Sequence, residues 1–184
     1  MNELDHLIVS ARTLDEGALW VESKLGVAPV AGGKHVQMGT HNRLLKLDAK
    51  RYLEVIAIDP EAPPPGRPRW FALDTRAMHA RLARGPALIH WVERTDDLDA
   101  ALRGRPERVE VLSLSRGPYR WRMGVPRDGR LPHNGAAATL IEWEGNAHPW
   151  DTLPESGCSL VQLSHAQGEL SAIFATPGGT RTMP

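Results

Sequence analysis

A second cysteine is missing from this chain. Cys158 stands alone, so no intramolecular disulfide can form, and a zinc site built on several thiolates is excluded. A reducing compartment, the cytoplasm, is the expected setting. No apolar run approaches the ~18 residues needed to span a bilayer, and the opening MNELDHLIVS has no basic region ahead of an apolar stretch. A soluble, unexported protein with no membrane partner is expected. An excess of one charge is missing too: Lys plus Arg come to 22 and Asp plus Glu to 22. The basic residues are scattered, so nothing marks a surface that tracks phosphates, and no nucleic acid partner is expected. Also missing are G-x-G-x-x-G, a Gly-rich loop ending in Lys-Ser/Thr and G-x-S-x-G. Dinucleotide, nucleoside-triphosphate and serine-hydrolase chemistry therefore have no support.

What is there begins with strand and helix periodicity over 184 residues, enough for one core or two fused halves. Leu4 to Ser10 is a short apolar strand, and Leu14 to Leu25 repeats apolar residues at helical spacing until Gly26. Val27 to Ala31, Arg43 to Leu47 and Tyr52 to Ile58 are β-rich, which makes the first half β-α-β-β-β. PEAPPPGRPR then lacks the amide donors that regular structure needs and reads as a stiff connector. A helix is expected over Asp74 to Arg84 with Asp74 as its cap, then a strand at Ala87 to Arg94 and a short helix at Asp97 to Leu102. Strands at Val109 to Ser115, Tyr119 to Val125 and Ala138 to Glu144 repeat the pattern.

The expected fold class is therefore α+β. Two βαβββ modules, 1–59 and 74–157 with connector 60–73, would curl mixed sheets around a shared cavity, followed over 158–184 by an extra short strand (Ser159 to Ser164) and a flexible tail.

The halves can be laid on each other. LDHLIVSARTLDEG against LIHWVERTDDLDAA puts His6 on His90 without a gap, and the closing strands YLEVIAID and TLIEWEG each carry an acid, Glu54 and Glu142. Alternation places His6 with Leu4 and Ile8, and Glu54 with Tyr52 and Ile56, on apolar faces. A buried carboxylate costs several kcal/mol unless a cation or good donors meet it. Each residue alone is an ordinary strand histidine or glutamate, but the repetition favours one shared centre. Two imidazoles and two carboxylates, His6, Glu54, His90 and Glu142, make a set that one divalent first-row metal ion (Zn, Ni, Fe, Mn or Co) satisfies.

The segments LDHLIVSARTLDEG, GGKHVQMGTHNRLLKL, YLEVIAIDP, RTDDLDAAL and LIEWEGNAHPW resemble the vicinal-oxygen-chelate superfamily, more narrowly its glyoxalase-like domain branch, over nearly the whole chain to about Gly157. The resemblance implies metal ligands on the first and fourth strand of each module, the positions of His6, Glu54, His90 and Glu142. It implies a metal-dependent enzyme that moves a proton on a small oxygen-rich molecule, by isomerase, lyase or epimerase chemistry, with Glu54 or Glu142 as the base. Alternatives on the same fold are a metal-free protein that binds or sequesters a small molecule, a ring-cleaving dioxygenase, and a structural domain that forms a homodimer.

Outside the metal set, His41 and Asn42 in GTHNR are placed to hydrogen-bond substrate, and Arg94, Arg120 and Arg122 to grip a substrate carboxylate. Trp91, Trp121 and Trp143 fall on the strand faces opposite these candidates and are expected to pack. His35, His133 and His148 are expected at the surface, and Cys158 to be inert.

Overall fold

The computed structural model describes residues 2–103, 105, 108–166 and 168–184. In the first half β1 (Glu3–Ser10) leads into α1 (Leu14–Leu25), followed by β2 (Val30–His35), β3 (Thr40–Asp48) and β4 (Arg51–Ile58). The helix begins where Thr13 Oγ1 accepts the Glu16 amide at 3.2 Å, and it stops at Gly26, whose φ of 75° suits glycine. Gly17 weakens the helix interior but lets it close on the sheet, since a Cβ there would sit 2.6 Å from Val55 Cγ1. The second half opens with α2 (Arg76–Leu82). It continues through β5 (Ala87–Arg94), α3 (Leu98–Leu102), β6 (Val109–Arg116), β7 (Tyr119–Pro126) and β8 (Thr139–Glu144). The cap of α2 is Thr75; Asp74, expected in that role, instead accepts from the backbone and guanidinium of Arg69.

Among the described residues, eight strands form one mixed sheet in the order β2-β3-β4-β1-β5-β8-β7-β6. Each βαβββ unit contributes four neighbouring strands, and the units meet where β1 runs antiparallel to β5. Within each unit the first and last strands are parallel, β1 to β4 and β5 to β8. The two parallel pairs do not share a register. Ile8 lies against Glu54, and the same spacing in the second half would set Val92 against Glu142. Val92 pairs instead with Thr139, three residues earlier. An odd slip in a structure of period two exchanges the faces of the strand.

One face of the sheet carries Leu7, Val9, Leu53 and Val55 against α1; the other carries Ile8, Ile56, Val92 and Trp121 around the interior of the curl. Each such side chain removed from water contributes roughly 1.5–3 kcal/mol. The Pro-rich connector crosses the concave side and inserts Trp70 and Phe71 there, with the Ala72 amide donating to Gly129 O at 2.8 Å.

Two elements differ from the sequence reading. The GGKH stretch belongs to β2, because Gly32 and Gly33 leave the room that neighbouring side chains need: a Cβ on Gly32 would lie 2.1 Å from Asn42 Oδ1. The C-terminal segment is a three-stranded antiparallel sheet, β9 (Ser159–Ala166), β10 (Glu169–Thr176) and β11 (Gly179–Met183), where one strand and a loose tail were expected. Leu160, Leu170, Ala172, Phe174 and Met183 bury themselves in the α1 cluster, which holds the segment down. No helix among the described residues is long and apolar enough to cross a membrane.

Candidate active site

β1 and β4 are central neighbours, and their parallel register sets His6 beside Tyr52 and Ile8 beside Glu54. His6, Tyr52 and Glu54 face the concave side, where β3 adds Asn42, the end of β2 adds His35 and the end of β6 adds Arg116. Trp70 and Phe71 from the connector, with Trp121 and Trp143 from the second half, supply aromatic walls. The cavity is about 30 Å³, room for a water molecule or two.

A chain of fixed hydrogen bonds runs from Arg116 to the carboxylate. Arg116 Nη1 and the Gly33 amide donate to Asn42 Oδ1 at 2.9 and 2.8 Å, and Asn42 Nδ2 donates to Glu54 Oε1 at 2.5 Å. Turning the amide over would bring its NH2 against two donors, so its orientation is determined. Arg116 Nη1 also donates to His35 Nε2 at 3.3 Å, which leaves the His35 proton on Nδ1, facing Thr40 Oγ1 at 3.1 Å. Burial lowers the pKa of His35 to about 4, with Arg116 adding to that and Glu54 opposing it. His35 is thus a neutral ring whose lone pair is already used.

His6 is arranged differently. Asp5 Oδ1 lies 2.6 Å from its Nδ1, and Trp143 Nε1 donates to Asp5 Oδ2 at 2.8 Å. A carboxylate against Nδ1 keeps a proton there, and the Tyr52 ring, stacked with centroids 4.6 Å apart, holds the imidazole plane. Burial, with Asp5 and Glu54 nearby, pushes the Tyr52 phenol well above its usual range, so it stays un-ionised. Nε2 of His6 is left facing Glu54 Oε2 at 3.6 Å, with His6 3% and Glu54 5% exposed. A lone pair and a carboxylate oxygen repel across that gap unless a proton or a cation lies between them.

The structure brings His6, Glu54 and Asn42 together and leaves the other sequence candidates elsewhere. The register slip of β8 turns Glu142 outward, where its Oε2 accepts the Leu98 amide at 2.7 Å and meets Arg122 at 3.4 Å. His90 is fully buried, but Thr139 occupies the position facing it: the Thr139 amide donates to His90 Nε2 at 3.1 Å, with Thr139 Oγ1 at 3.0 Å. Burial lowers the pKa of His90 to about 3. A four-donor centre of His6, Glu54, His90 and Glu142 therefore does not fit this arrangement. Among the described residues no group of three His, Cys, Asp or Glu is placed to hold a metal ion.

Arg94 reaches back to Leu4 O, Lys50 O and Glu3, Arg122 pairs with Asp99 at 2.8 Å, and Arg120 is exposed. His41 alternates with Asn42 on β3 and does not line the cavity. The same slip and alternation bring Trp121 and Trp143 inward, against the expectation that they pack away from the site. His35 is buried, against the expectation of a surface loop, because β2 extends through it. Asp5 was legible as the neighbour of His6; Arg116, at a hairpin turn, carried no signal.

Comparison with known proteins gives the lineage of this arrangement. No functionally curated protein matches the sequence. Several solved structures share the fold. A hypothetical protein from Staphylococcus aureus aligns with a TM-score of 0.55 at 13% identity, covering 99% of this chain and 84% of that one. A methylmalonyl-CoA epimerase from Streptomyces coelicolor, solved with 2-nitronate-propionyl-CoA, aligns with a TM-score of 0.51 at 20% identity, covering 80% and 99%. A hypothetical protein from Bacillus halodurans aligns with a TM-score of 0.50 at 12% identity, covering 80% and 96%. At these identities the likeness is one of architecture. The sequence profile described as glyoxalase-like domain matches residues 4–176, and the chain belongs to that family.

Proposed function

We propose that this protein is an enzyme that moves a proton at a carbon of a small oxygen-bearing molecule, an isomerisation or epimerisation, with Glu54 as base and His6 as its acid partner. The observation that carries the reading is the Nε2 of His6, aimed at Glu54 Oε2 across 3.6 Å by the Asp5 contact. A proton shared between these atoms is lost to a substrate oxygen and regained from the carboxylate, while Asn42 holds the carboxylate still. The aromatic walls and small volume leave room for a water molecule or two at most, and so little solvent weakens the charges inside less than bulk water would. An epimerase among the proteins of this fold agrees with such chemistry by analogy of architecture.

The same convergence favours a second reading, in which His6 and Glu54 would hold a divalent first-row ion. Such an ion would supply Lewis-acid charge, although two protein donors is one fewer than catalytic zinc sites keep.

One experiment separates them. Untagged protein is assayed for metal, and for solvent deuterium exchange into small carbonyl compounds followed by proton NMR. The first reading expects metal well below one equivalent and an exchange rate that survives chelator but falls by about 10²–10⁴ in Glu54→Gln. Stoichiometric metal lost in Glu54→Ala would establish the second reading. Exchange that Glu54→Gln leaves intact would overturn both.

A further inference from the structure

The cavity around His6 and Glu54 is about 30 Å³, whereas sites that take a small organic molecule run to roughly several hundred Å³. Substrate therefore needs a wall to move. The lining residues sit on strands of the eight-stranded sheet, hydrogen-bonded to their neighbours, with two exceptions: Trp70 and Phe71, which the connector lays across the concave side. These two are held under strain. Phe71 and Ala72 have φ of 56° and 58°, consecutive left-handed residues that are not glycine, a conformation that crowds Cβ against the carbonyl that follows. Trp70 is 3% exposed, and its Nε1 has no acceptor among the described residues, so its donor has left water without a replacement. Burial of the two rings opposes both penalties. The fastenings lie on either side: Arg67 pairs with Glu110 at 2.9 Å, Arg69 with Asp74 at 2.7 Å, and the Ala72 amide donates to Gly129 O at 2.8 Å. Ala72 also borders an open cleft of about 630 Å³, shared with Met78, Arg130 and Leu131, so the segment has space beside it.

We propose, building on the proton-transfer reading, that residues 67–73 are the gate of the site. The strap swings off the sheet, carries Trp70 and Phe71 out of the concave side, and admits substrate where the two rings stood. Swinging out releases Phe71 and Ala72 from the left-handed region and gives Trp70 Nε1 a water acceptor, which offsets part of the lost burial and keeps the open form within thermal reach. The apparent affinity for any ligand then scales with the open fraction.

The protein is labelled with 5-fluorotryptophan and followed by fluorine NMR, with Trp70 assigned from Trp70→Phe. Exchange between closed and open strap appears as relaxation dispersion at Trp70 and not at Trp91, which packs against the α1 cluster. Ala72→Gly lowers the open population by about threefold or more, since glycine takes that φ without penalty. Asp74→Ala, which unfastens Arg69, raises it. Catalysed deuterium exchange into small carbonyl compounds, measured below saturation, follows both changes. A Trp70 signal without dispersion in the wild type and in Asp74→Ala, dispersion that Trp91 shares, an open population that Ala72→Gly increases, or catalysed exchange indifferent to both variants would overturn the proposal. Trp70 dispersion that responds to both variants in a protein without catalysed deuterium exchange would instead refute the proton-transfer reading and leave the gate standing.

Discussion

His6 and His90 hold matching places on two strands, yet different partners meet them. Asp5 occupies Nδ1 of His6 and leaves Nε2 open toward a carboxylate; Thr139 occupies Nε2 of His90, and Nδ1 has no hydrogen-bond partner among the described residues. In the proposed reaction the first ring hands on a proton, whereas the second is held neutral in the core. Burial is the main cause of the low pKa of His90, about 3 against an ordinary 6.5, with His6, Arg105 and His165 adding to it. The sign of the consequence follows. Between these values the unfolded chain binds the proton that the folded chain refuses, so the stability at stake is intact above about pH 6.5 and declines as pH falls toward 3. The slope from this one residue approaches about 1.4 kcal/mol per pH unit. His90→Gln keeps an acceptor for the Thr139 amide and removes the titration. Its urea-unfolding free energy should therefore drop less between pH 7 and pH 4 than that of the wild type, and parallel pH profiles would show that His90 is not the group responsible.

Strands position these residues, and small changes in a strand reach the site. Gly32 is the sharpest case: an alanine Cβ there meets Asn42 Oδ1 at 2.1 Å and Asn42 O at 2.8 Å. Gly32→Ala should push Asn42 off Glu54, cost about 1–3 kcal/mol as an overpacked substitution does, and remove deuterium exchange. The double variant Gly32→Ala/Asn42→Ala removes the contact with Oδ1 but not the one with Asn42 O, so it should recover part of the stability in denaturant titration and none of the exchange; recovered exchange would mean that Asn42 does not position the base. Elements with one strong local signal were legible in the sequence: α1 from its apolar spacing and Gly26, β5 from its apolar run, and the duplicated His6 and His90 from the ungapped overlay. The facing of Glu142 was not. Its face depends on how far β8 slides along β5, a pairing that no local propensity encodes, and a slip of three residues sends the carboxylate outward. Arg116 escaped notice for a related reason, since its approach to Asn42 is made between distant strands.

At the scale of the molecule, the sheet has an apolar outer face that α1 alone does not cover, and the C-terminal sheet completes the cover. Phe174, fully buried with Leu7, Leu88 and Met183 in the same cluster, is its anchor. The cluster also includes Val9, Leu53 and Val55, which alternate along β1 and β4 with the residues that face the cavity. Loosening the outer layer therefore loosens the strands that hold His6 and Glu54. Phe174→Ala should cost about 3–5 kcal/mol, the range for emptying a large aromatic site. If the C-terminal sheet and the main sheet form one cooperative unit, tryptophan fluorescence and far-ultraviolet circular dichroism will report a single urea transition, moved to lower denaturant with its slope unchanged. A variant in which the C-terminal strands melt first, with the main transition left in place, would show instead that the outer sheet is an appendage and that the site does not depend on it.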